Sequence, residues 1–123
     1  MTQRPVIAEQ ESEGGKDRRV STPPALSIVI PAFNEAARLP ATLAKLGTFA
    51  AGRPEATEVI LVADGSTDDT VRIAEEAARQ SSSPIRVRAN PTNHGKGYCV
   101  AQGVQLASGS RILMSDADLS TPL

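Results

Sequence analysis

The sequence predicts an alternating β/α domain with a mainly parallel sheet covered on both faces. Two observations carry this. Short apolar, β-branched runs of strand length alternate with segments of helical spacing, in the order β-α-β-α-β-α-β. The runs are apolar at consecutive positions, as expected of strands buried on both faces. A third observation locates a site. The residues least suited to a core are Pro31 to Glu35, Asp64 to Ser66, Asn93 to Gly97 and Asp116 to Asp118, and each group follows directly after a strand segment. In parallel sheets with right-handed crossovers, ligands bind outside the carboxyl ends of the strands.

The elements follow in order. "ALSIVIPAF" reads as a buried strand ended by Pro31. "NEAARLPATLAKLGTFA" reads as a helix, with Asn34 as N-cap, Pro40 in the first turn, Leu39, Leu43 and Leu46 at helical spacing, and Gly47 as the stop. "EVILVAD" is the second strand. "STDDTVRIAEEAARQ" is the second helix, where Ser66 with Asp69 three residues on forms a capping-box pattern. "IRVRAN" is a short third strand. "GKGYCVAQGVQLASG" is the third helix, with Val100, Gly103, Val104 and Ala107 on one face and Gly109 as the stop. "RILMSD" is the fourth strand.

The 123 residues fit one domain. Residues 1–24, "MTQRPVIAEQESEGGKDRRVSTPP", are charged and punctuated by Gly and Pro, so a disordered tail is expected there and a folded part over 25–123. The tail lacks the continuous apolar core of a signal peptide, and no stretch approaches the roughly 20 apolar residues of a spanning helix. A net charge of −1 gives no electrostatic case for nucleic-acid binding. The single cysteine, Cys99, excludes an internal disulfide, fits a reducing compartment such as the cytoplasm, and reads as a small buried residue on a helix.

The ligand is narrowed by local chemistry. A dinucleotide site wants G-x-G-x-x-G after the first strand, where this chain has "PAFNEAARL". A Walker loop wants G-x-x-x-x-G-K-[ST], and "NPTNHGKGY" lacks both the earlier glycine and the hydroxyl. The D-x-D pair Asp116 and Asp118 fits a hard divalent cation, Mg²⁺ or Mn²⁺, shared with a substrate diphosphate. The plainer reading is a solvated turn. Asp64-Gly65-Ser66 reads either as a turn with a helix cap or as a carboxylate for a base or ribose. Glu35 is at the least a first-turn acid favoured by the helix dipole. Asn93 to Gly97 is a flexible loop, or it sets backbone N–H groups and Lys96 near phosphates at a helix start. His94 reads as a loop residue.

Taken together, "LSIVIPAFNEAARLPATL", "EVILVADGSTDDT", "NHGKGYCVAQGVQLASG" and "RILMSDADLSTP" resemble the family-two inverting glycosyltransferases, which use nucleotide-diphosphate sugars. The resemblance covers nearly all of residues 25–123. It is nearest to the branch that moves glucose or mannose onto a polyprenyl (dolichyl-type) phosphate, and "DADLSTP" is similar to the glucosyl members. It implies a Rossmann-like nucleotide-sugar-binding domain. Pro31, Phe33 and Glu35 would line the nucleotide pocket, Asp64 would hold the base or ribose, and Asp116 and Asp118 would hold ribose and the Mg²⁺ or Mn²⁺. The donor implied is UDP-glucose, with GDP-mannose second. The acceptor implied is a polyprenyl phosphate, at the cytoplasmic face of a membrane that the protein would meet peripherally.

Two departures accompany the resemblance. The family usually shows two adjacent aspartates before Gly-Ser, and here the first is Ala63. Family members also continue well past the D-x-D, so 25–123 is expected to be the amino-terminal, donor-binding part of a glycosyltransferase domain, truncated after the fourth strand and inactive alone, with catalytic residues unassigned. A non-catalytic nucleotide-sugar binder is the alternative. A response-regulator-like domain shares the β/α order but needs an acidic pair after the first strand and an Asp after the third, where "PAFNEAA" and "NPTNHGKG" stand.

Overall fold

Two strands are buried along almost their whole length, and they set the architecture. The structure, a computed structural model, describes residues 24–117. Residues 1–23 of the tail expected over 1–24, and the site residue Asp118, lie outside the described residues. The elements are β1 (Leu26–Ala32), α1 (Leu39–Ala51), β2 (Thr57–Asp64), α2 (Thr70–Gln80), β3 (Ile85–Asn90), α3 (Lys96–Leu106) and β4 (Arg111–Met114). The strands pair in parallel in the order β3-β2-β1-β4. This is the alternating, parallel architecture the sequence predicts.

The strand order decides which face each helix covers. The chain steps outward from β1 to β3 and then crosses back to β4, so right-handed crossovers put α1 and α2 on one face and α3 on the other. On the first face Ile28, Ile30, Val59 and Leu61 pack with Leu39, Leu43 and Leu46 of α1 and Ala74 of α2. Each large side chain buried there contributes about 1.5–3 kcal/mol. On the second face the core is small: Ile60, Val62 and Cys99, with Leu106 and Ala107 against it. β3 and β4 are the outer strands. Ile112 and Met114 of β4 are 41% and 52% exposed, so burial on both faces belongs to β1 and β2 alone.

Several local expectations are corrected. Asn34 does not cap α1, which starts at Leu39 with Pro40 in its first turn and Arg38 as N-cap. Gly47 does not stop it. The apolar spacing runs on through Leu46 to Ala50, its burial outweighs the roughly 1 kcal/mol cost of an interior glycine, and Gly52 closes the helix with its N–H on the Thr48 carbonyl at 3.1 Å. The Ser66–Asp69 capping box is absent. α2 begins at fully buried Thr70, and the acceptor for the Thr70 N–H (3.0 Å) and hydroxyl is Asp68 Oδ1. On α3 the buried positions are Cys99 and Gly103, whereas Val104 is 41% exposed. Gly103 decides this orientation, because a methyl group there would lie 2.2 Å from Val29 Cγ1.

At the amino ends of the strands a buried carboxylate pins the return from α3. Glu58 Oε2 accepts the Ser27 hydroxyl at 2.6 Å and the Ser108 N–H at 2.7 Å, and Gly109 N–H donates to Ser27 Oγ at 2.8 Å. Arg86 Nε stands 3.7 Å from Glu58 Oε1.

The two helical glycines provide a test. Gly103→Ala must push α3 off Val29, and a loss of about 1–3 kcal/mol is expected, as for other overpacked cores. Gly47→Ala meets nothing within 4 Å and is expected to gain about 0.5–1 kcal/mol. Urea denaturation midpoints of the two variants should therefore move in opposite directions.

Candidate functional site

The carboxyl ends of β1 and β2 and the segment after β4 open onto one cleft of about 260 Å³. Pro31, Phe33, Glu35, Asp64, Lys96 and Asp116 all line it, with Cys99 at its floor. Six of the seven residues singled out from sequence are thus brought together, and the seventh, Asp118, lies outside the described residues. A second groove of about 440 Å³ continues past Val100 and Met114 and shares Pro31, Lys96 and Asp116 with the cleft.

Each wall has a local cause. On the α1/α2 side the two loops are tied to each other. Asn34 has φ 51°, its side-chain oxygen accepts the Thr67 N–H at 2.8 Å, and its own N–H donates to Ser66 Oγ at 3.0 Å. The N–H groups of Glu35 and Ala36 donate to Thr70 Oγ1 at 2.9 Å and Asp68 Oδ2 at 3.1 Å. Asn34 and Ser66, expected as caps, therefore brace one loop against the other. The Thr70 hydroxyl holds the Asp68 carboxyl below its ordinary pKa against an opposing effect of burial, with the Thr70 and Ala36 N–H groups adding to it.

On the α3 side the organising group is Asp64, which is 4% exposed. Its Oδ1 accepts the His94 N–H at 2.9 Å and the Asn90 amide at 3.2 Å. Its Oδ2 accepts Gly95 N–H at 2.8 Å and His94 N–H at 3.1 Å. A carboxylate offers about four acceptor sites, so this one is well occupied within the chain. Burial alone would raise the Asp64 pKa. The His94 N–H, the Asn90 amide, the Cys99 thiol and the Gly95 N–H outweigh that and hold it below its ordinary value. The tight turn after it needs glycine: Gly65 has φ 75°, and a Cβ there would lie 2.5 Å from Asn93 N.

Asn90 and Gln102 were not singled out from sequence, yet they extend this network. Asn90 Nδ2 donates to Gln102 Oε1 at 2.8 Å and Gln102 Nε2 returns a bond to Asn90 Oδ1 at 3.0 Å. The register that pairs Asp64 with Asn90 is the signal that could have found Asn90. Cys99 is fully buried on α3, where burial and then the Asp64 carboxylate push its thiol up to about 12, so it stays neutral. His94 stacks on Tyr98 at 4.3 Å between ring centroids and belongs to the loop, as expected.

The third wall carries Asp116. Ser115 N–H continues the β4 ladder onto the Val29 carbonyl at 3.0 Å, and the Thr42 hydroxyl of α1 donates to the Ala117 carbonyl, which anchors the segment. Lys96 Nζ, from the first turn of α3, lies 2.6 Å from Asp116 Oδ1. Ala63, one residue before Asp64, is 1% exposed, packs on the α1/α2 side and does not line the cleft.

The family model described as Glycosyl transferase family 2 matches residues 27–122. The chain belongs to glycosyl transferase family 2. Among its relatives, the dolichyl-phosphate beta-glucosyltransferase of Drosophila melanogaster is 40% identical over 78% of this chain and 31% of that protein. The undecaprenyl-phosphate 4-deoxy-4-formamido-L-arabinose transferase of Pseudomonas savastanoi pv. phaseolicola is 34% identical over 79% of this chain and 29% of that one. The chain therefore spans about 30% of the length of the curated relatives it matches. Among solved structures, S. aureus TarS 1-349 in complex with UDP-GlcNAc superposes with TM-score 0.64 and 25% identity, covering 76% of this chain and 26% of that one. The mannosyltransferase PcManGT from Pyrobaculum calidifontis, in complex with GDP-Man and Mn2+, superposes with TM-score 0.69 and 20% identity, covering 84% and 30%. Both likenesses agree with the parallel, Rossmann-like sheet. Among the described residues no helix is long and apolar enough to cross a membrane.

The Asp64 clamp makes a pH-dependent prediction. Its folded-state pKa lies below the unfolded value of about 3.9. Its contribution is therefore complete above that value and is lost as pH falls through the folded-state pKa. Asp64→Asn, which cannot accept the same set of N–H donors, should be about 2–4 kcal/mol less stable at pH 7. The gap to wild type should narrow in urea titrations taken well below pH 4. A gap that is constant across that range would mean the charge of Asp64 does not hold the loop.

Proposed function

We propose that the chain carries the donor-binding part of a glycosyltransferase that moves a hexose from a nucleotide-diphosphate sugar to a polyprenyl phosphate with inversion. The carrying observation is the cleft at the carboxyl ends of the strands, where Glu35, Asp64, Lys96 and Asp116 converge beside the exposed ring of Phe33. The relatives named for dolichyl-phosphate and undecaprenyl-phosphate transfer support the acceptor class. Glucose is favoured, with UDP-glucose as donor and GDP-mannose second. Transfer onto a membrane-held phosphate favours the cytoplasmic face of a membrane, met peripherally.

The residues take distinct roles in this reading. Pro31 and Phe33 form the apolar wall for the nucleotide. Asp64 shapes the base and ribose side by fixing the loop that faces it. A hard cation suits the carboxylate that Asp116 presents to the cleft, where an ammonium already sits at 2.6 Å, although the described residues alone bring no three such ligands together. Asp116, with Asp118 by its D-x-D spacing, would hold Mg²⁺ or Mn²⁺. When bound, that ion neutralises charge on the leaving diphosphate. Lys96 adds a cation beside the phosphates. The acceptor phosphate is anionic already, so its oxygen can attack the anomeric carbon without a strong general base. The acceptor site would correspond to the part of the relatives that this chain does not span, since it covers about 30% of their length.

A nucleotide-sugar binder without transfer activity is the second reading, favoured by Ala63 where the family usually has a carboxylate. Assay of released nucleotide in the presence of a short polyprenyl phosphate separates the two in a chain of the relatives' full length.

Donor binding is expected to need the metal and Asp118. Calorimetric titration with UDP should show affinity falling about tenfold or more when Mn²⁺ is withheld, and equally in Asp118→Ala, as expected when an ion-mediated contact is lost. Identical affinity with and without Mn²⁺ would sink the metal role.

A further inference from the structure

We propose that Lys96 is an exchangeable counter-ion: in the ligand-free protein it holds Asp116, and it releases that carboxylate to a divalent cation and turns to the donor diphosphate. The inference rests on the metal-dependent reading above and deepens it. It starts from the 2.6 Å contact between Lys96 Nζ and Asp116 Oδ1, which joins the first turn of α3 to the segment after β4.

Three features make this pair an exchange point. First, it is accessible: the side chains are 68% and 39% exposed, and ion pairs in water are weak. Second, it stands where the two cavities meet, since Pro31, Lys96 and Asp116 line both the 260 Å³ cleft and the 440 Å³ groove. Third, its two ends differ in freedom. The backbone leading into Lys96 is held by Asp64 through His94 and Gly95, and Asp116 is held by Ser115 on β1, so the flexible lysine stem is the part that can move.

The charge balance gives the direction. The cleft lining carries the carboxylates of Glu35, Asp64 and Asp116 against the ammonium of Lys96 and the Arg38 guanidinium that stands 3.5 Å from Glu35. A diphosphate entering that lining meets an excess of negative charge. A divalent cation cannot share Asp116 Oδ1 with an ammonium at 2.6 Å without like-charge repulsion. Cation and ammonium therefore compete for Asp116, and a displaced Lys96 is within reach of phosphates brought by the same ion.

The test is to titrate the 123-residue chain, Lys96→Met and Lys96→Arg with Mn²⁺ alone, following free Mn²⁺ by electron paramagnetic resonance. Titration with UDP at saturating Mn²⁺ follows. Lys96→Met should bind Mn²⁺ about three- to tenfold more tightly than wild type, because a competing charge is gone. Lys96→Arg should stay near wild type. UDP should bind Lys96→Met about tenfold more weakly. Equal or weaker Mn²⁺ binding by Lys96→Met overturns the exchange and leaves the metal site standing. Mn²⁺ binding to none of the three overturns the metal reading and the exchange together. Unchanged UDP affinity in Lys96→Met overturns the transfer of Lys96 to the diphosphate.

Discussion

The placement of α3 depends on two buried carboxylates of a single strand. Glu58 and Asp64 lie six residues apart on β2, so they point to the same face, with Ile60 and Val62 between them. Six strand steps span about 20 Å. The ten helical steps of α3 span about 15 Å, and the non-helical residues Gly95 and Ala107 at its two ends make up most of the rest. The match lets Asp64 take the N–H groups of His94 and Gly95 just before the helix while Glu58 takes the Ser108 N–H just after it. The apolar core on this face is small, so hydrophobic area alone would fix α3 loosely. The polar clamps supply its position along the strand, and Gly103 against Val29 supplies its depth.

That arrangement explains why a buried charge is tolerated in the cleft wall. Moving a carboxylate out of water is expensive unless hydrogen bonds replace the solvent. Asp64 receives backbone N–H donors at the start of a helix, where the peptide dipoles also favour negative charge. An amide in its place would offer one acceptor oxygen and two donors aimed at other donors. Lys96 therefore inherits its position from Asp64, and the cleft is assembled from the end of β2 outward.

What could be read from sequence was whatever depends on neighbours close in the chain. The apolar runs of β1 and β2 declare themselves because both faces are buried, and β3 emerges over Ile85–Asn90 as "IRVRAN" suggests. The caps were misread because Asn34 and Ser66 find partners more than thirty residues away, each in the other's loop, and propensity carries no such information. Of the face expected for α3, Gly103 is buried and Val100 and Ala107 are half-buried, but Val104 is exposed and Cys99 is buried instead, because the close packing of Gly103 on Val29 sets the rotation of the helix. At the site, the grouping of residues at strand ends was readable. The internal engagement of Asp64 by the His94–Gly95 backbone was not, since it needs the β2–β3 register and the left-handed turn at Gly65.

The same alternation along β2 bears on Ala63. Consecutive strand residues face opposite sides, so two adjacent aspartates here would not be equivalent. The one at position 64 faces α3 and organises the loop that carries Lys96. A carboxylate at position 63 would face the α1/α2 side, in the apolar core and paired in register with Ala32. The chain keeps the member of the pair on which its fold depends and has alanine at the other, in a site whose exposure is 1%. An alanine there preserves the apolar packing beneath the cleft without an unpaired buried charge. The clamp that shapes the cleft is therefore independent of the departure at Ala63.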